Sequence, residues 1–204
     1  MRLSAADPGT IPEGLPQLML AEDPALMRFL FRDAAGLARV LAEEWRRPLA
    51  LNTCHTMRQL WDGPHVAGLM NGFPASEYDA RLEGSRDSYV AALQGRLGLS
   101  PQEALTWMER LYPAPRAGAF YILDLSVAPE AQGRGLGHLL LEAGRAQARS
   151  AGCTSLALDV AADQPAVGFY RQQGLVADVE TYVPWLHRHH GIGRHLHMVQ
   201  PLAA

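Results

Sequence analysis

Gln132-Gly133-Arg134-Gly135-Leu136-Gly137 stands between two segments of opposite periodicity, and its reading decides the fold. Upstream, Ala119 to Val127 (AFYILDLSV) is rich in aromatic and β-branched residues and is closed by Pro129, which predicts a strand. Downstream, His138 to Ala151 places Leu139, Leu140, Ala143, Ala146 and Gln147 at helical spacing and stops at Gly152. Three alternate glycines leave backbone N–H groups uncovered where a helix begins, which is a cradle for phosphate.

Spacing narrows the ligand. A dinucleotide fingerprint needs G-x-G-x-x-G, but counting from Gly133 the third position is His138, and from Gly135 it is Leu140. The nucleotide P-loop needs a Lys-Ser or Lys-Thr pair after its last glycine, and none is present.

A second block follows at a fitting distance. Ser155 to Val160 (SLALDV) reads as another short strand, and Asp163 to Leu175 (DQPAVGFYRQQGL) continues from it. Together, Q-x-x-G-x-G and the Ala166, Phe169, Tyr170, Gly174 pattern resemble the GNAT family of N-acetyltransferases, over about Phe120 to Leu175. Two positions depart from the family pattern: Asp163 replaces the usual Asn, and Leu175 the usual Phe.

The resemblance implies an α/β fold with a mixed, splayed β-sheet flanked by helices on both sides. It implies acetyl-CoA as co-substrate, with the pyrophosphate held by Gln132, Gly133, Arg134, Gly135, Leu136, Gly137 and His138. It also implies backbone contacts from Leu125, Ser126 and Val127, and further contacts from Asp163, Phe169 and Tyr170. Tyr170 matches the family tyrosine that gives a proton to the leaving thiolate. Phe169 and Tyr170 also read as core aromatics on an amphipathic helix.

Acetyl transfer to an amine needs a neutral nucleophile, an oxyanion donor and a proton for the thiolate. An alkyl amine of pKa about 10.4 is neutral in roughly one molecule in 2,500 at pH 7, so deprotonation costs about 4.6 kcal/mol. A base offsets that cost. Strand alternation assigns Tyr121, Leu123, Leu125 and Val127 to one face and Ile122, Asp124 and Ser126 to the other. Relatives often carry a glutamate at the position of Tyr121 or Leu123, and neither is acidic here. Asp124 is the one acid on the strand and is a base candidate. Glu77, Tyr78 and His55 are the others, and together with Tyr121 they are candidates for the acceptor side.

Composition bounds the rest. The 204 residues are 48% apolar and carry a formal net charge of −3, which fits one globular domain over 1–204 and gives no basic footprint for nucleic acid. Two cysteines without metal spacing, and no apolar run long enough for a membrane span or signal peptide, lead to a cytoplasmic expectation. Residues 1–16 read as a loose extension, Gln17 to Ala21 as a short strand, and Ala25 to Trp45 as two helices broken near Ala34 to Gly36. Asp62-Gly63 signals a hairpin turn. Residues 74–115 read as a helical insertion near the substrate site, with helices over Arg81 to Leu97 and Pro101 to Leu111.

The C-terminal histidines (His187, His189, His190, His195, His197) lack Cys, Asp or Glu among them and match no zinc spacing. They read as a solvated loop before a last strand over His197 to Leu202, and no metal is expected. The acceptor reading is a small-molecule primary amine. A protein N-terminus or lysine, and a non-catalytic acyl-CoA-binding module, stay open beside it. Dimers are common in such folds, so a homodimer is compatible, although this chain carries no separate signal for one.

Overall fold

The computed structural model describes residues 1–95 and 98–202. A seven-stranded sheet runs in the order β1-β2-β3-β4-β5-β7-β6. Its strands are β1 (Arg2–Ala5), β2 (Met57–Asp62), β3 (His65–Pro74), β4 (Ala119–Val127), β5 (Ser155–Ala161), β6 (Val176–Thr181) and β7 (His195–Pro201). β4 and β5 are parallel, and the other neighbours are antiparallel. The helices are α1 (Leu15–Leu20), α2 (Pro24–Phe31), α3 (Ala34–Glu44), α4 (Tyr78–Leu93), α5 (Pro101–Leu111), α6 (Leu136–Ser150), α7 (Ala166–Gln172) and α8 (Pro184–His190). No helix among the described residues is long and apolar enough to cross a membrane.

The parallel ladder explains the splay. β4 and β5 pair only over Ala119–Ile122 and Ser155–Leu158. Beyond that both strands continue without each other, leaving a wedge between Leu123–Val127 and Asp159–Ala161. At the point of parting the β3–β4 register slips, from Asn71 opposite Asp124 to Gly72 opposite Ile122. Leu123 is the extra residue of a β-bulge, which bends a strand and shifts its phase by one.

That bulge corrects the alternation expected for β4. Tyr121 pairs with Phe73, and Asp124 and Ser126 pair with Asn71 and Leu69, all on the face turned away from α6. Ile122 faces α6, where Gly144 makes room for its side chain, and Leu125 pairs with Met70 on that same face. Tyr121 and Asp124 therefore share a side.

The N-terminal reading is corrected too. Residues 1–16 are not loose: β1 pairs along β2, Trp45 Nε1 donates to the Asp7 carbonyl at 2.9 Å, and Leu15 is fully buried. β1 is an edge strand of four residues held by backbone pairing and largely exposed on both faces, too short to announce itself. The stretch expected as a strand at Gln17 to Ala21 is α1 instead, with Pro16 in its first turn and Leu15, Leu18 and Met19 buried. Asp23 and Asp33 cap α2 and α3, accepting from the Leu26 and Gly36 amides.

Between β3 and β4, α4 begins at Tyr78, three residues earlier than expected, and ends at Leu93; the end expected at Leu97 lies outside the described residues. α5 matches its expected bounds and starts with a capping box, Ser100 with Glu103. The two helices contact each other, and α4 also packs on α2 and α3. Arg81, only 4% exposed, fastens α4 to the loop before β2 through the Pro48 and Ala50 carbonyls, at 3.1 and 2.7 Å. Ser85 accepts from the Leu51 amide at 2.8 Å, and Glu44 accepts from Asn52 and Ser88. Every polar group in this clamp is buried and satisfied, so it holds the helix in one place.

Candidate active site

The glycine loop enters α6 through two left-handed residues. Gly133 has φ 73° and Gly135, the N-cap, has φ 77°, and nothing lies within 4 Å of a side chain built at either. Open space above exposed amides at a helix start is a fit for a diphosphate, which no side chain here would obstruct. Gly137 serves another purpose. A Cβ there would stand 3.2 Å from the Phe169 ring, so the third glycine lets α7 approach the first turn of α6.

A cleft of about 820 Å³ starts at this loop and runs through the wedge between β4 and β5. Gln132, Gly133, Gly135, Leu136, Gly137 and His138 line the loop end, and Leu125, Ser126 and Val127 line the strand. Gln132 is braced by donating to the Val127 carbonyl at 3.2 Å, and His138 Nδ1 stands 2.8 Å from Gln173 Oε1. Arg134 points elsewhere: its guanidinium pairs with Asp62 of the β2–β3 turn at 3.0 Å, and it does not line the cleft. Asp163 is exposed and also lies outside the lining.

Tyr170 reaches the middle of the cleft from α7, 4% exposed, with Phe169 tilted against it at 5.3 Å. Burial raises its phenol above the ordinary range, and the nearby Glu22 charge adds to this. A phenol so held stays protonated until a stronger base than water presents itself. Phe169 and Tyr170 thus belong to the core and to the cleft at once.

The same cleft includes a chamber walled by Tyr78, Tyr89, Tyr112 and Tyr121, with Leu82, Leu105 and Met108 from α4 and α5. Tyr121 donates to Asp159 Oδ2 at 2.7 Å, and His197 Nδ1 lies 3.1 Å from the other Asp159 oxygen. His195 Nε2 lies 2.9 Å from Asp23 Oδ2. Although burial opposes it, this bond and the Leu26 amide hold Asp23 below its usual range. Burial with the Asp159 charge pushes Tyr78 up to about 12 and raises Tyr112 and Tyr121 as well.

Two carboxyls stand where the chamber meets the loop end. Asp124, 3% exposed, accepts from Asn71 Nδ2 at 2.9 Å, and burial pushes it up to about 6. Glu22, in the turn between α1 and α2, accepts from the Leu125 amide at 3.1 Å. Burial raises Glu22 first, and the Asp124 charge raises it further.

Of the acceptor-side candidates, Tyr78 and Tyr121 line the chamber. His55 and Glu77 do not: both edge a separate depression beside Gly72 and Pro74, and Glu77 is tied to Arg81 at 2.6 Å. The expected histidine loop is also corrected. His187, His189 and His190 sit on α8, while His195 and His197 are buried in β7, two residues apart on one face. Glu22, Asp23, Asp159, Tyr112 and His195 were not expected in the site. Glu22, Asp23 and His195 come from elements remote from the glycine loop, and Asp159, although on the expected strand at Ser155 to Val160, carries no local signal for a site.

The profile of the acetyltransferase (GNAT) family matches residues 56–175. Solved structures share the fold at low identity. An acetyltransferase is 19% identical with a TM-score of 0.70, covering 100% of both chains. An N-acetyltransferase from Staphylococcus aureus Mu50 is 13% identical with a TM-score of 0.66, covering 98% of this chain and 100% of its own. A Bacillus subtilis acetyltransferase solved with CoA is 13% identical with a TM-score of 0.58, covering 99% of each chain. No curated protein matches the chain.

Proposed function

The chain belongs to the acetyltransferase (GNAT) family and uses acetyl-CoA; from that premise we propose that it acetylates the primary amine of a small molecule carrying an apolar or aromatic body. The observation that supports this acceptor is the chamber in the cleft. Four tyrosines and the α4–α5 pair wall it, and the buried Arg81 and Glu44 clamp fixes α4 in place. A compact amine with an apolar flank buries that flank against these rings, at about 25 cal/mol per Å². Glu22, Asp23, Asp124 and Asp159 all line the cleft, and their carboxyls favour a positively charged group within it.

Acetyl-CoA supplies an acyl group activated as a thioester. The amides of Gly133, Gly135 and Leu136 would receive its diphosphate, at the start of the α6 dipole. The strand amides from Leu125 to Val127 are the donors available to a carbonyl oxygen that gains charge. Tyr170 holds the proton for the departing sulfur, and its raised pKa keeps that proton in place at neutral pH.

Measuring thiol release with a panel of amines and peptides tests the reading. Turnover highest with aryl-alkyl amines supports it. Turnover confined to peptides, or acetyl-CoA binding with no turnover on any acceptor, overturns it.

A further inference from the structure

Among the described residues, Glu22 is the one carboxyl lining the cleft that keeps a buried oxygen without a hydrogen-bond partner. Its Oε1 accepts from the Leu125 amide, while Oε2 is buried without any hydrogen-bond partner among the described residues. Burying an acceptor unpaired costs about 1–3 kcal/mol, so such an atom calls for a reason. The Leu125 amide lies in the unpaired half of β4, one residue beyond the contact that holds Asp124 to Asn71. Asp124 is tied through Oδ2 to Asn71 on a paired strand, whereas Glu22 sits in a turn and is held by a single amide.

We propose that Glu22 is the proton acceptor for the incoming amine, and that before the donor arrives it caps the Leu125 amide that the thioester carbonyl will use. This rests on the acetyl-transfer reading above. One N–H cannot serve a carboxylate and a carbonyl equally, so the donor's carbonyl displaces the Glu22 oxygen from Leu125. The carboxylate then turns to the acceptor, and Oε2 gains the N–H it lacks. Glu22 takes the proton of the incoming ammonium, which frees the nitrogen lone pair, and later releases it to solvent. The lone pair forms the C–N bond, and the electron pair of the C–S bond leaves with sulfur, which takes the Tyr170 proton. The proton that nitrogen gives up on forming the amide passes through water to the phenolate, leaving amide and free thiol. The ionisable groups facing Glu22 are Asp124 from β4, Asp23 beside it with His195 bonded to that carboxylate, Tyr112 after α5 and Tyr170 from α7.

Two variants separate the two roles. Glu22→Gln keeps a carbonyl oxygen for Leu125 but no base; Glu22→Ala removes both. Calorimetry should show Glu22→Ala binding acetyl-CoA about tenfold more tightly, the worth of roughly one hydrogen bond, with CoA, which has no carbonyl there, unchanged within about twofold. Glu22→Gln should lower kcat about 10² to 10³-fold with an alkyl amine of pKa near 10, and less than about tenfold with an arylamine that is already neutral. An unchanged ratio of acetyl-CoA to CoA affinity overturns the cap. Equal losses with both amines, or no loss, overturn the base. If the wild-type protein acetylates no amine, the acceptor reading fails and the affinity ratio still decides the cap.

Discussion

Asn71 donates to Asp124 across β3 and β4 at 2.9 Å, one step before the register slips at Leu123. The same amide group donates to the Leu51 carbonyl at 2.9 Å, and Thr56 Oγ1 donates to Asn71 Oδ1 at 2.7 Å. The bulge is thus pinned from three sides, and it turns Asp124 onto the face of Tyr121. A strand without the bulge would have put this acid on the opposite face.

This buried acid makes stability depend on pH. Its carboxyl is raised by burial from 3.8 to about 6 in the folded chain, so between those values the folded state holds more proton than the unfolded one. Stability therefore falls as pH rises from about 4 to about 6, and the cost stays in full above that. Asp124→Asn keeps an acceptor for Asn71 and removes the charge. Denaturant unfolding of both proteins should show the variant gaining on the wild type across this window, by up to about 3 kcal/mol at roughly 1.36 per pH unit. A difference that stays level from pH 4 to 8 would contradict a raised carboxyl.

Tyr170→Phe removes one buried hydroxyl and leaves the ring that packs against Phe169. Acetyl-CoA affinity should stay within about threefold, while kcat falls about 10² to 10³-fold, the usual worth of a placed acid. Replacing the thioester with a donor whose leaving thiol is more acidic should recover part of the loss. Stopped kinetics with intact CoA binding reports the proton; a matching loss of binding would report packing alone.

Gly135→Ala tests the loop. Its φ of 77° suits glycine, and an L-residue there costs roughly 1–2 kcal/mol. Nothing occupies the space a side chain would take, so the effect is conformational. Acetyl-CoA and CoA should weaken together by about tenfold or more, with little change in kcat at saturation. Arg134→Ala, whose guanidinium is committed to Asp62, should weaken both by less than about threefold.

The loop, β4, β5 and the Tyr170 helix were legible because each carries its own local signal: three glycines, a run of branched residues, a helical spacing. The chamber was legible only in part: Tyr78, Tyr121 and the helical segment over 74–115 stand out in the sequence, but the walls from α1, α2 and β7 meet them only in the folded chain. Glu22 shows the reason well. In the sequence it precedes a helix cap, and nothing local distinguishes it from an exposed acid; its role depends on an amide 103 residues away. Leu123 is similar, since a bulge is a property of two strands and not of one. His195 misled because a crowded run of histidines resembles a solvated loop, yet it is buried in β7 against the Asp23 carboxylate from another element.

The wall of the chamber rests on a glycine of α4. A Cβ at Gly84 would stand 1.8 Å from the Leu49 carbonyl oxygen, so α4 meets the loop before β2 backbone to backbone. Gly84→Ala must push α4 outward against the Arg81 and Ser85 bonds, at a cost of about 1–3 kcal/mol. Gly168→Ala makes the useful contrast. It lies exposed within α7 with nothing near its Cβ, so replacing glycine in a helix should stabilise by about 0.5–1 kcal/mol. Because α4 carries Tyr78, Leu82 and Tyr89, its displacement should raise the acceptor's KM several-fold while acetyl-CoA affinity holds. Steady-state kinetics at saturating donor separates the two. An acceptor KM that does not move would mean the amine binds elsewhere than against α4.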